Sequence, residues 1–343
     1  MDIRAVAKVE LHRHLEGSIR LRTIIEESHR AGVPLPAETP DRLAPHALIQ
    51  QPAGGLEEAL ERFSIAQNAV RTYEAVRRIA REAIEDLAQD NVRLAELRFS
   101  PDFLCRPGGL DWDAAFEAIQ DGINQARQAG SDVEVGLIAI VSRDYGLDSA
   151  RATVDFALRH ADGLVGFDLA GTEIAYPARM YREVLAPLAE AGLGLTVHYG
   201  ESGPPEYARE AIEVLAPSRL GHGLSVARDR SVIALAIERG VTLEMCPTSN
   251  WLTGGVPSLD AHPARRLLHG GVRVTLNSDD PGLFGIDLSH EWEVARDALG
   301  FTDQDFARVT ADALDASFLP TDVTARARSR HFGWIDAGID LGP

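Results

Sequence analysis

Lysine is nearly missing from this chain: of its 34 basic residues, Lys8 alone is a lysine. A Schiff-base aldolase, a pyridoxal phosphate enzyme and a Walker P-loop each need a lysine at the site. Only Lys8 could serve, and it opens its expected strand at the end away from any catalytic mouth. Cysteine is scarce too. Cys105 and Cys246 give no disulfide framework and no CxxC metal or redox pair. No apolar run approaches the roughly 18 residues of a membrane-spanning helix. The opening MDIRAVAKVELH has no apolar signal-peptide core, so a cytoplasmic location without a membrane partner is expected. Excess positive charge is also absent. The net charge is −18, and no basic cluster with interleaved aromatics overrides that field, which excludes nucleic acid as the expected partner. A small molecule is favoured.

What is present is ordinary globular material: 343 residues, 45% hydrophobic and 25% charged, enough for one large α/β barrel or two smaller domains. Short β-branched-rich runs, nearly continuously apolar, fall at Val9–His14, Val92–Phe99, Val133–Val141, Gly163–Ala170, Gly194–His198, Arg219–His222, Val241–Met245 and Val272–Asn277. Parallel strands buried on both faces read this way. Helical periodicity separates them, as in Tyr73–Gln89 and Tyr181–Ala191. Eight such alternations predict a (β/α)₈ TIM barrel. A doubly wound sheet is disfavoured because no GxGxxG follows any strand. The long gap after the first strand predicts a helical insertion, with helices at Arg20–Ala31 and Leu56–Asn68 around a Pro/Gly-bearing stretch. In a barrel that insertion lies at the catalytic mouth, where it can act as a lid. Helical pattern after Asp287 closes the barrel by about Phe318, and residues 1–343 read as a single domain.

Unusual polar residues collect at the C-terminal strand ends, where barrel enzymes keep their catalytic groups. His12 and His14, two apart on a strand, point to one face. That face is the barrel interior, where an unpaired imidazole is costly and a metal ion resolves the cost. With His198 on the fifth strand and a carboxylate on the eighth, the donor set suits zinc and leaves a position for water. Asp279 and Asp280 are adjacent, so at most one of them faces the metal and the other is free to face substrate. His222, in LGHG, is either a fourth ligand or a base that orients the attacking water. Glu201, three residues past His198, is a candidate proton carrier if desolvated. The seven other histidines have helical or loop contexts and receive no role.

HRHLEG, DLAGTE, VHYGES, LGHG and LNSDDPGLFG, in this order between Lys8 and Phe318, resemble the adenosine deaminase family of the amidohydrolase barrels. The resemblance implies one zinc ion held by His12, His14, His198 and Asp279. It also implies that Glu201 gives a proton to purine N1, and that His222 orients and deprotonates the attacking water. Asp280 would contact N7, and the Gly171 backbone N–H would bind N3. The expected reaction is hydrolytic removal of the 6-amino group from an adenine nucleoside, giving the 6-oxopurine and ammonia. A binuclear site bridged by carboxylated lysine is not expected, because the fourth strand ends in GFDLAGTE; nor is a cytidine-deaminase site, whose HxE and PCxxC signatures are missing.

Two departures bear on the substrate. Adenosine deaminases usually read HLDG, with an aspartate on the ribose 5′-hydroxyl, where this chain has Glu16. They commonly read HAGE where this chain has Tyr199. Chains with HLEG resemble adenine deaminases and 6-aminodeoxyfutalosine deaminases, the latter acting in a menaquinone pathway. On this reading ESGPPEY and SRDYG shape a pocket for a 5′ substituent, with Arg143 for a carboxylate and Tyr145 for stacking. The alternatives are an adenine deaminase, an amide or ester hydrolase using the same site, and a non-catalytic purine-binding barrel. The last should have lost Glu201, His222 or a metal ligand, and none is lost.

Overall fold

The computed structural model describes residues 1–52 and 56–335, the side chains of 56–61 excepted. The last eight residues of the expected 1–343 domain lie outside that range. Eight parallel strands form one sheet in sequential order: β1 Lys8–His14, β2 Val92–Phe99, β3 Glu134–Ser142, β4 Gly166–Ala170, β5 Gly194–Tyr199, β6 Arg219–His222, β7 Thr242–Met245 and β8 Arg273–Leu276. Sequential order with a helix after each strand is the (β/α)₈ arrangement; a doubly wound sheet would place non-consecutive strands side by side. The sheet closes beyond the end of β8. There Arg13 bridges Asp279, with His14 N–H donating to Asp279 O (2.9 Å) and Asp279 N–H to His12 O (2.9 Å). The Asn277 side chain extends the seam by accepting from Leu11 N–H at 3.0 Å.

Strand limits follow the expected runs closely. The expected 163–170 run begins later because Ala161–Gly163 forms a 3₁₀ turn. One element was unexpected, a helix at Pro40–Ala47 inside the Pro/Gly-bearing stretch of the insertion. Proline suggests a break, but Pro40 occupies the first helical turn, where its fixed φ fits and its missing N–H costs nothing. The helix at Thr321–His331 also lies past the expected end of the pattern.

An apolar core fills the space between strands and helices, but the barrel interior is charged. Glu96, Arg98, Asp168, Arg219 and Glu244 are fully buried. Arg98 pairs with Asp168 (2.8 Å) and Glu244 (2.9 Å), and Arg219 with Glu96 (2.6 Å) and Glu244 (2.6 Å). Removing one partner of such a buried pair costs about 3–5 kcal/mol, since the other charge is stranded. The signal for this network was in the sequence: Glu96 and Arg98 stand two apart on one strand face, as His12 and His14 do. Lys8 enters β1 at the far end from these histidines, its ammonium donating to Ile3 O (3.0 Å) and Val6 O (3.2 Å). Among the described residues no helix is long and apolar enough to cross a membrane.

Candidate active site

The strand ends gather four donors at the barrel mouth. Ligand atoms of His12, His14, His198 and Asp279 all lie within 4.8 Å of one another. His12 Nε2 and His14 Nε2 stand 3.2 and 3.3 Å from Asp279 Oδ1. The rings are aimed from behind. Glu244 holds His12 Nδ1 at 2.7 Å, and Asp168 holds His198 Nδ1 at 2.9 Å. Carboxylates behind ligating histidines fix the tautomer and turn Nε2 toward the ion. His12 Nε2 is buried without a hydrogen-bond partner, and coordination to a cation would satisfy it. Burial presses His198 down to about 3, so its ring is neutral, as a ligand requires. The donor set therefore fits a single zinc ion. The backbone at Asp279 is left-handed, with φ of 61°, as it is at His222. Non-glycine residues held there store strain that functional sites tolerate.

Around this cluster lies a cavity of about 300 Å³, lined by Glu16, Gly171, Glu201, His222 and Asp280 as well as by His14, His198 and Asp279. His222 Nε2 is 3.8 Å from Glu201 Oε2 and 3.9 Å from Asp279 Oδ2. The Glu201 carboxyl is raised by burial and by the nearby Asp279 charge, against the opposing pull of His222. Asp280 is raised well above the carboxylate range by burial, then by Asp279, Glu16 and Glu201; its Oδ1 is buried and unpartnered. Glu16 accepts from Ser100 N–H at 2.7 Å and rises to about 7 through burial. Gly171, at φ +103°, holds a backbone conformation that side chains rarely adopt, and a Cβ there would have to displace the Asp144 carboxylate, 2.4 Å away. The nine candidate site residues, those read at the strand ends together with Glu16 and Gly171, thus converge on one site.

Three expectations for the outer pocket fail. Arg143 is fully buried, donating to Gly171 O (2.8 Å) and His198 O (2.6 Å), so it cannot meet a substrate carboxylate. Tyr145 packs under Arg106 at 4.2 Å instead of entering the cavity, and of SRDYG only Ser142 lines it. Tyr199 faces away, its hydroxyl donating to Tyr176 O at 2.9 Å under the Arg143 guanidinium. Of ESGPPEY, Glu201 alone lines the cavity.

Sequence reasoning missed three supports. Glu173, at the end of DLAGTE, accepts from the N–H groups of Gly200 (2.7 Å), Ser202 (2.6 Å) and Gly203 (2.6 Å), which fixes the loop carrying Glu201. Ser249 donates to Asp279 Oδ2 at 2.7 Å. Asn250 contacts His222 Nδ1 at 3.0 Å, and His262 contacts Asn250 in turn at 3.0 Å. Polar residues are commonplace in loops and short helices, so no pattern marked them.

Three imidazoles and a carboxylate at the C-terminal mouth of a (β/α)₈ barrel, backed by buried carboxylates, define a metal-dependent hydrolase of the amidohydrolase kind. The adenosine deaminase family model matches residues 7–331. An adenosine deaminase of Shewanella denitrificans is 34% identical over 316 residues, covering 92% of this chain and 95% of that protein. An adenine deaminase from Arthrobacter aurescens superposes with a TM-score of 0.89 at 27% identity, covering 97% of this chain and all of that one. A zinc-bound amidohydrolase from Burkholderia ambifaria superposes at 0.86 and 27% identity, over 97% of this chain and 92% of its own. The chain belongs to the adenosine deaminase family, hydrolases that deaminate adenine compounds.

Proposed function

We propose that this protein removes the 6-amino group of an adenine nucleoside, with adenosine and 6-aminodeoxyfutalosine as its candidate substrates, using one zinc ion held by His12, His14, His198 and Asp279. The carrying observation is a polar floor beneath an apolar cavity. The metal donors, Glu201, Asp280 and Gly171 lie together, while Ile49, Phe63, Phe103, Leu283 and Phe284 form walls beyond them. A purine set on that floor has Glu201 for N1, Asp280 for N7 and the Gly171 N–H for N3. Bound zinc would supply a hydroxide-like nucleophile at neutral pH by lowering the pKa of water. Glu201 holds a proton for N1 because burial keeps its carboxyl neutral more readily than in water. The relatives named adenosine deaminase support the nucleoside reading.

The free oxygen of Glu16 has no protein partner and marks where the sugar would be met. No lysine or arginine is among the described residues lining the cavity. A 5′-phosphate would find no cation there. The aryl substituent of 6-aminodeoxyfutalosine would find Phe63 and Phe103, with its carboxylate left to solvent at the mouth. The test is kcat/KM for adenosine, 6-aminodeoxyfutalosine and adenine in one buffer, read by ammonia release. Both nucleosides should exceed adenine by about tenfold or more, the contribution of a pocket filled by sugar contacts. Adenine as the best substrate overturns the nucleoside reading.

A further inference from the structure

Behind His222, away from the cavity, runs a buried polar chain. His222, Asn250 and His262 are 2%, 0% and 5% exposed. His262 Nδ1 accepts the backbone N–H of Ala264 at 3.3 Å. A backbone amide only donates, so that ring nitrogen keeps its lone pair. Burial, with His222 nearby, lowers His262 to about 3, so the ring is neutral and its single proton is on Nε2. That proton faces Asn250 Oδ1 at 3.0 Å. The amide orientation follows: Oδ1 toward His262, Nδ2 toward His222, where it donates to Nδ1 at 3.0 Å. With its Nδ1 lone pair taken by Asn250, His222 must carry its ring proton on Nε2, the nitrogen that faces Glu201 and Asp279.

We propose that His262 and Asn250 are positioning residues that lock His222 in the tautomer protonated on Nε2, so that His222 gives a hydrogen bond to the attacking oxygen. A neutral imidazole in that form has no lone pair at Nε2. His222 therefore does not take the proton of the attacking water, the role that the family resemblance implied. The inference rests on the deaminase reading of the cavity, but the tautomer lock itself is set by the N–H of Ala264, a residue that does not line the cavity. A fixed donor aimed at the attacking oxygen needs no reorganisation during reaction.

Asn250→Asp tests this with almost no change of shape. Its carboxylate accepts from His262 as before but cannot donate, so His222 must offer Nδ1–H and turn a lone pair to the cavity. In zinc-loaded, ¹⁵N-histidine-labelled protein, the His222 resonances are assigned by their loss in His222→Gln. Wild type should show a protonated Nε2 and a bare Nδ1, and Asn250→Asp the reverse. With zinc content unchanged, Asn250→Asp should lower kcat ~10²-fold, the scale of one lost preorganised donor. KM should stay within about threefold, because ground-state binding is untouched. His262→Ala should lose part of the same activity, and His262→Gln, whose amide can donate to Asn250, should restore most of it. A protonated Nδ1 on wild-type His222 overturns the proposal, as does a reversed tautomer in Asn250→Asp with unchanged kcat. If wild type deaminates no adenine nucleoside yet shows the Nε2 proton, the lock stands and the deaminase reading falls.

Discussion

Glu201 is the residue on which the proposed chemistry turns, and its position is not its own doing. It lies on a loop with no regular structure, held because Glu173 gathers three backbone N–H groups on either side of it. Charge-assisted bonds of this kind are among the stronger ones a loop can have. If Glu201 carries the proton to N1, Glu201→Gln should keep zinc and bind adenosine while kcat falls ~10²-fold or more, the usual size of a general-acid contribution. Isothermal titration with a non-hydrolysed purine nucleoside, beside kcat, checks both halves; near-normal turnover would remove the role. At this scale the sequence was readable where a residue type was out of place. Histidines and aspartates at the ends of apolar strands are conspicuous, and all six gather at the barrel mouth. Glu173, Ser249, Asn250 and His262 were not readable, because an acid in a loop or an amide in a short helix has an ordinary solvated alternative. Arg143 was misread for the complementary reason. It follows strand three in the sequence, yet its guanidinium turns inward to two backbone carbonyls.

Among the elements, the seam between β8 and β1 binds fold and site together. The residues that close it, His12, His14 and Asp279, are themselves the proposed metal donors, so a misregistered seam would scatter them. Asn277 holds that register from a fully buried position, accepting from Leu11 N–H and donating to Thr275 Oγ1 at 2.9 Å and Met245 O at 3.3 Å. Asn277→Leu keeps the size but orphans the Leu11 amide. A buried unsatisfied donor costs about 1–3 kcal/mol, so the urea midpoint should fall by that equivalent. Zinc affinity should weaken with it. An unshifted midpoint would mean that the backbone closes the seam without the side chain. The eight strands were legible because strands buried on both faces leave long apolar runs. The seam was not: Asn277 reads from sequence only as a polar residue ending a strand, and the partner that makes it important lies 266 residues away. The short helix at Pro40–Ala47 was hidden by its own prolines.

For the whole molecule, the question is how far the barrel depends on the ion. The interior network argues for independence. Arg98 and Arg219 are paired with Glu96, Asp168 and Glu244 through contacts among protein groups alone, and two of these acids also hold His12 and His198. The proposed ligands are thus aimed by hydrogen bonds and ion pairs that involve no ion. Removing the metal should leave the fold standing while taking away only its binding free energy. At a free ion concentration one hundred times Kd that energy is about 2.7 kcal/mol. For a chain this long, each kcal/mol moves Tm by roughly 2 °C, so chelation should lower Tm by roughly 5 °C. The melt should stay cooperative and the far-ultraviolet circular dichroism unchanged, and stoichiometric zinc should restore both Tm and turnover. Elemental analysis of the untreated protein should find about one zinc per chain, as one closed set of three histidines and a carboxylate can hold. His12→Ala and Asp279→Ala should each lose that ion and become insensitive to chelator. Two tightly held metals per chain would sink the mononuclear reading. Collapse of the helical signal on chelation would show instead that the charged interior cannot hold the barrel without the ion.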